Sequence, residues 1–155
     1  MKRLAYILAV IVATAICVQC NSLKKIEAKA YPINYTELNN YYVRSGVVSK
    51  KIQRVVFDNE TEFQQYFSEA AVMGRNDQPT PVNFKTQYVL AIILPVTDKD
   101  TQVIPAEISQ VDNTVIVNYR VKKGKKLGYN IIPYTAVAID KPEVDLEIEF
   151  NFNEL

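Results

Sequence analysis

The last stretch of the chain limits its fold most: Val144, Leu146, Ile148, Phe150 and Phe152 alternate with Asp145, Glu147, Glu149 and Asn151. A period of two puts every apolar side chain on one face of an extended backbone, which a helix of about 3.6 residues per turn cannot do. The segment is therefore a half-buried strand, and it needs a sheet to lie in. Much of the chain agrees. Residues 52–57 read as a strand, and the unbroken apolar run at residues 88–94 implies burial on both faces. Residues 101–111 alternate less regularly, whereas Val115, Val117, Tyr119 and Val121 alternate with Ile116, Asn118 and Arg120. Between these two segments Asp112-Asn113 reads as a two-residue hairpin turn, a pair that tolerates positive φ. Residues 122–128 read as a lysine-rich turn that leads into a strand at 129–139. Short connections favour antiparallel neighbours in a meander. The expected class is mainly β (α+β): six to seven antiparallel strands, in a sandwich or partly rolled, with one helix.

That helix is expected over about residues 59–73. Asp58 or Asn59 supplies an N-cap, and Glu62 stands three residues after Asn59, as in a capping box. Phe63, Tyr66, Phe67, Ala70 and Met73 then form one apolar stripe, and Gly74 follows where helices commonly end. The stripe reads as core. Before the strands, residues 31–42 hold Tyr31, Tyr35, Tyr41 and Tyr42, four of ten tyrosines, and read as an extension packed on the domain or as a partner-binding patch.

The first twenty residues are an address label. Lys2 and Arg3 precede an apolar run from Leu4 to Val18, and Cys20 closes it. This is the layout of a bacterial lipoprotein signal, in which residues 1–19 are removed and Cys20 carries acyl chains such as palmitate. Gln19 and Cys17 depart from the small and aliphatic residues usual at those places. Two other readings are secretion with cleavage after Ala13-Thr14-Ala15, and an uncleaved anchor, for which the run is short against the ~20 residues a spanning helix needs. The lipoprotein reading gives three regions: a signal peptide at 1–19, a polar tether at 20–30, and a single domain at 31–155. It puts the domain in the cell envelope, at the outer membrane, facing the periplasm or the exterior.

What the chain lacks narrows its chemistry. It has no histidine, and its two cysteines, Cys17 and Cys20, both belong to the export segment. No Ser-His-Asp or Cys-His pair can be built, and zinc loses its usual ligands. The C-x-x-C spacing of Cys17 and Cys20 has no strand-to-helix context or second ligand pair to support a redox or zinc motif. Net charge is +1, falling to −1 once Lys2 and Arg3 are lost, so there is no nucleic-acid footprint. No cofactor is called for. The remaining enzyme chemistries are a carboxylate pair, a Ser-Lys arrangement using Ser22, Ser45, Ser49, Ser68 or Ser109, or an oxygen-ligated calcium ion.

Three charged clusters stand out. Asp98-Lys99-Asp100 resembles the opening of a calcium loop, but Val103 and Ser109 stand where an EF-hand needs glycine and glutamate, so a solvated hairpin tip is expected. Lys122-Lys123-Gly124-Lys125-Lys126 reads as a tight turn whose lysines discourage edge pairing, with lipid headgroups or an acidic partner as the functional alternative. Asp145, Glu147 and Glu149 read as a solvated strand face.

Residues about 57–150 resemble the PrcB-type family, small envelope proteins and domains named for a protease-complex subunit, and related lipoproteins of Gram-negative bacteria. The resemblance is carried by Phe57, Glu62-Phe63, Phe67, Ala71-Val72-Met73-Gly74, Val82-Asn83-Phe84, Val89-Leu90-Ala91-Ile92, Ile132-Pro133-Tyr134 and Ile139-Asp140-Lys141. Pro95-Val96-Thr97-Asp98 replaces the glycine-rich turn the family often carries, and Asn83 stands where the family more often has aspartate. The resemblance implies a mainly-β domain that assists or binds another envelope protein, with no catalysis of its own and no catalytic residue. The function expected is a lipid-anchored module engaging a protein partner, such as a protease complex. The alternatives are a protease inhibitor acting through the loops at 75–81 and 95–100, and a carboxylate-dependent hydrolase.

Overall fold

The apolar run at residues 88–94 has to be covered on two sides, and the domain is arranged around that demand. The computed structural model describes residues 29–70, 78–143 and 146–154. Its strands in chain order are β1 (Ala30–Pro32), β2 (Tyr35–Glu37), β3 (Tyr41–Val43) and β4 (Gln53–Phe57). Helix α1 (Glu60–Tyr66) follows, then β5 (Phe67–Glu69), β6 (Gln87–Ile93), β7 (Thr97–Val111), β8 (Thr114–Ile131), β9 (Tyr134–Asp140) and β10 (Glu147–Glu154). One sheet has the order β1-β7-β8-β10, a second β2-β9-β6-β4, and β3 pairs with β5 in a separate ribbon. Among the described residues the protein is mainly β and largely antiparallel, with one α-helix and no closure into a barrel, as the alternation predicts.

The second sheet is the middle layer. On one of its faces Val89, Ala91 and Ile93 pack with Phe57, Ala136 and Ala138 beneath α1 and the β3–β5 ribbon. On the other, Leu90 meets Ile108, Val115 and Val117 of the first sheet, and Ile92 meets Val103, Tyr119 and Val121. Each such aliphatic side chain contributes about 1.5–3 kcal/mol when fully buried, so both coverings are strongly favoured. The first sheet has only one face to bury. Its β8 accordingly alternates Val115, Val117, Tyr119 and Val121 inward against an exposed Arg120.

Helix α1 begins where expected and stops early. Asn59 Oδ1 accepts the Glu62 amide at 2.8 Å, and Glu60 and Glu62 place their charges in the first turn. Phe67 then turns extended, and Tyr41↔Glu69, Tyr42↔Ser68 and Val43↔Phe67 pair in the ribbon. The 3.6-period stripe favours continued helix, and pairing with β3 overrides it. As a strand residue Phe67 stacks on Phe63 at 4.9 Å and 18°, and meets Phe57 edge-on at 6.0 Å. Ala70, expected on the helix, instead donates its amide to Asn40 O at 2.8 Å. Met73 and Gly74 lie outside the described residues.

The connectivity also departs from a meander. The chain breaks at Ile132-Pro133, inside the strand expected at 129–139, because proline has no amide for a ladder. Pro133 O accepts Leu94 N at 2.9 Å, and β9 enters the second sheet. The chain then returns to the first sheet, where β10 runs parallel to β8 from Glu147↔Thr114 to Glu154↔Val121. The tyrosine-rich extension supplies three short strands and the shortened helix yields β5, which brings the strands among the described residues to ten. The turn at Asp112-Asn113 forms as expected, with Asp112 at φ 51°.

Candidate functional site

Neither Asp98–Asp100 nor the lysine cluster is a turn. Both belong to one long hairpin, β7–β8, whose single tip is Asp112-Asn113, so residues 97–102 run alongside 122–131 as a two-stranded ribbon. Here β8 carries extra residues, with register shifts between Thr97 and Lys99 and between Lys99 and Thr101. Such bulges re-aim side chains and are common beside functional sites. Gly124 does not use a positive φ. A Cβ there would lie 2.9 Å from Asp100 O and 3.1 Å from Asp100 Cβ, so glycine permits the close approach of the two backbones.

The ribbon is cationic. It carries Lys99, Lys122, Lys123, Lys125 and Lys126 against Asp98 and Asp100, and all five lysines are exposed. Asp98 pairs with Lys126 at 3.2 Å on the surface. Lys99 is the register partner of Lys126, between the two register shifts, and Lys126 turns its charge to Asp98. Strand β10 reaches only Val121 and β1 only Ser109–Val111, so the ribbon overhangs the rest of the sandwich.

Beneath the overhang is a cleft of about 450 Å³. Its sheet-side wall carries Thr97, Lys99, Thr101, Val121 and Lys123, and Ile52, Leu94, Pro95, Val96 and Pro133 complete the lining. The cleft exists because β8 keeps the inward alternation of Val121 past the point where the second sheet ends. Apolar side chains are left partly uncovered there: Val96 is 52% exposed and Ile52 37%. Thr101 Oγ1 donates to Lys99 O at 3.0 Å, tying the β7 backbone opposite the bulges on that wall.

A second, larger hollow of about 710 Å³ lies beside α1, lined by Tyr41, Arg44, Glu60, Gln64, Glu69 and Gln78 over an aromatic floor that includes Phe63. Glu60 Oε1 accepts Gln64 Nε2 at 2.8 Å, and Arg44 Nε donates to Gln64 O at 2.9 Å. Tyr41 donates to Thr80 O at 2.9 Å; burial, then the Glu69 and Glu60 carboxylates, push its phenol above the usual range. The Tyr134 hydroxyl donates to Tyr41 O, and burial raises its phenol as well. Glu69 and Gln78, on the rim, lie close to the ends of residues 71–77, which are outside the described residues.

The other expected site residues scatter. Cys20, Cys17 and the segment Ala13-Thr14-Ala15 lie outside the described residues, as do Ser22 and Asp145. Glu147 and Glu149 project from β10 into solvent. Ser109 is buried, Ser49 Oγ accepts Lys51 N, and Ser68 lines the larger hollow. Of the two proline-flanked loops, residues 78–81 are pinned through Thr80, which accepts Asn39 N at Oγ1, and Thr97–Asp100 is already strand. Among the described residues no group of three or more His, Cys, Asp or Glu is arranged to hold a metal ion, and no helix is long and apolar enough to cross a membrane. Sequence reasoning found the lysines and missed the cleft. Its one signal was Pro95-Val96, an apolar pair just after a buried strand.

Compared with family models, with curated proteins and with solved structures, the chain matches none.

Proposed function

We propose that this chain is a cell-envelope lipoprotein, acylated at Cys20, whose domain binds a protein partner and performs no chemistry of its own. The supporting observation is the overhang: five exposed lysines on a ribbon above a partly uncovered apolar cleft. Folding alone does not call for that combination, since it leaves Val96 and Ile52 partly uncovered beside Lys99 and Lys123. The resemblance to the PrcB type makes an envelope protease complex the first partner to test. The acyl anchor concentrates the module at the membrane, and the tether at 20–30 lets the domain reach its partner.

Two experiments test this. Cys20→Ser is expected to leave the precursor unprocessed and without acyl chains, read as intact mass of the membrane-extracted protein; unchanged processing and mass apart from the substitution would refute the anchor. Crosslinking in live cells, with photo-reactive residues at Val96 and Tyr129, is expected to capture one partner in stoichiometric yield. A carboxylate hydrolase remains the second reading, because Glu60 and Glu69 both line the hollow beside α1. Glu60→Gln with Glu69→Gln would abolish any hydrolysis there and would leave partner capture intact.

A further inference from the structure

We infer that the cleft under the overhang is the docking site for an acidic segment of the protein partner that carries an apolar anchor residue. This rests on the binding-module reading above and adds the chemistry of what binds. The cleft's volume, about 450 Å³, lies within the usual range for ligand sites, and its lining has the usual mixture of an apolar body with a few converging polar groups. Leu94, Val96, Val121 and Ile52 offer the apolar body. Val96 and Ile52 both line the cleft and are exposed, which marks a surface that gains by being covered.

Charge selects the occupant. Every charged residue on the cleft lining is a lysine, Lys99 and Lys123, and the ribbon beyond it adds Lys122, Lys125 and Lys126. Of the two aspartates in the ribbon, Asp98 is engaged by Lys126, and Gly124 lies against Asp100. A second copy of this chain would bring the same lysines and be repelled. Protecting a free strand edge would account for lysines pointing away from the sandwich. It does not account for Lys99 and Lys123, which line the cleft. Strand alternation sets Thr97, Lys99 and Thr101 together on the cleft wall, and the extra residues of β8 opposite them interrupt the regular ladder there. Cationic charge spread along a ribbon suits a segment with several carboxylates better than a single headgroup. The anchor residue supplies burial; the flanking acids supply orientation and salt-sensitive encounter.

The test uses the full-length protein in detergent and a blocked hexapeptide with phenylalanine and leucine at its centre and two glutamates on each side. Calorimetric titration is expected to show one saturable site that weakens steeply between low and moderate salt. Val96→Asp, at an exposed position that folding tolerates, is expected to weaken it by about tenfold or more, and Lys99→Glu by roughly fivefold to tenfold. Lys85→Glu, exposed and away from the cleft, is expected to change it by less than about twofold. The inference is overturned if glutamines in place of the glutamates bind equally well, or if Val96→Asp binds the peptide normally. It is also overturned if phosphatidylglycerol vesicles bind with this Val96 and Lys99 dependence while the peptide does not. Should crosslinking in cells still capture a stoichiometric partner from the Val96→Asp protein, the cleft falls and the binding-module reading stands. If crosslinking captures no partner at any face, the module reading falls and this inference goes with it.

Discussion

Gly124→Ala is the sharpest perturbation of the overhang, because two general effects of glycine oppose each other there. In an ordinary strand, replacing glycine with alanine stabilises by about 0.4–1 kcal/mol, chiefly by restricting the unfolded chain. Gly128 meets that description: its φ is not positive, and an added Cβ would find nothing within 4 Å. Gly124 does not. Its Cβ would sit 2.9 Å from the Asp100 carbonyl oxygen, and that neighbour is backbone, unable to swing aside as a flexible side chain would. Overpacking of this kind costs about 1–3 kcal/mol, so the net expectation is a loss of roughly 0.5–2 kcal/mol. Gly128→Ala should gain where Gly124→Ala loses. With a urea slope of about 1–3 kcal/mol per molar, the two midpoints should separate by roughly 0.3–3 M, near 1 M at mid-range values. Amide exchange should accelerate around Asp100 in Gly124→Ala and stay unchanged in Gly128→Ala. If the two variants are equally stable, the close approach is not what glycine serves, and the lysine segment is better described as the loose turn its composition suggests.

Three further outcomes are expected. Tyr119→Phe removes the acceptor of Arg54 Nε at 3.1 Å and Nη2 at 2.8 Å; because Arg54 is exposed and can turn to water, the loss should be about 1 kcal/mol by urea unfolding, and no loss would show the contact to be idle. Tyr41 and Tyr134 have raised phenol pKa values, so the unfolded chain ionises first: their contribution to stability is present below about pH 10 and is lost as pH rises through the folded values. Tyrosinate absorbance should therefore show a late alkaline step that shrinks in Tyr134→Phe, and a single step for all tyrosines would contradict the burial described. Asn59→Ala deletes the cap of α1 and should lower stability by about 1 kcal/mol in thermal unfolding; an unaltered midpoint would mean the aromatic packing of Phe63 alone holds the helix.

Much of the fold was legible in local pattern. The alternation in Val115–Val121 and Ile148–Phe150, the continuous run at 88–94, the cap at Asn59 and the turn at Asp112-Asn113 each state a local physical demand, and the structure meets it. The misread segments are those where local signals were ambiguous or overridden. Lys122–Lys126 has the polarity and glycine of a turn, yet Gly124 serves a close contact that only the neighbouring strand reveals. Phe67 fits the helical stripe, and only β3 beside it overrides that local preference.

What local composition decided is chemistry and class: a histidine-free chain with period-two alternation can build a sheet domain and few catalytic centres. What needed the third dimension is everything that depends on neighbours distant along the chain. Pro133 moves the chain between sheets, β10 joins β8 in parallel, and β8 runs on past the sheet that would cover it. Periodicity reports which face of a strand is buried; it carries no information about where the covering layer ends. The cleft lies at that end, between Val121 on one sheet and Leu94 on the other.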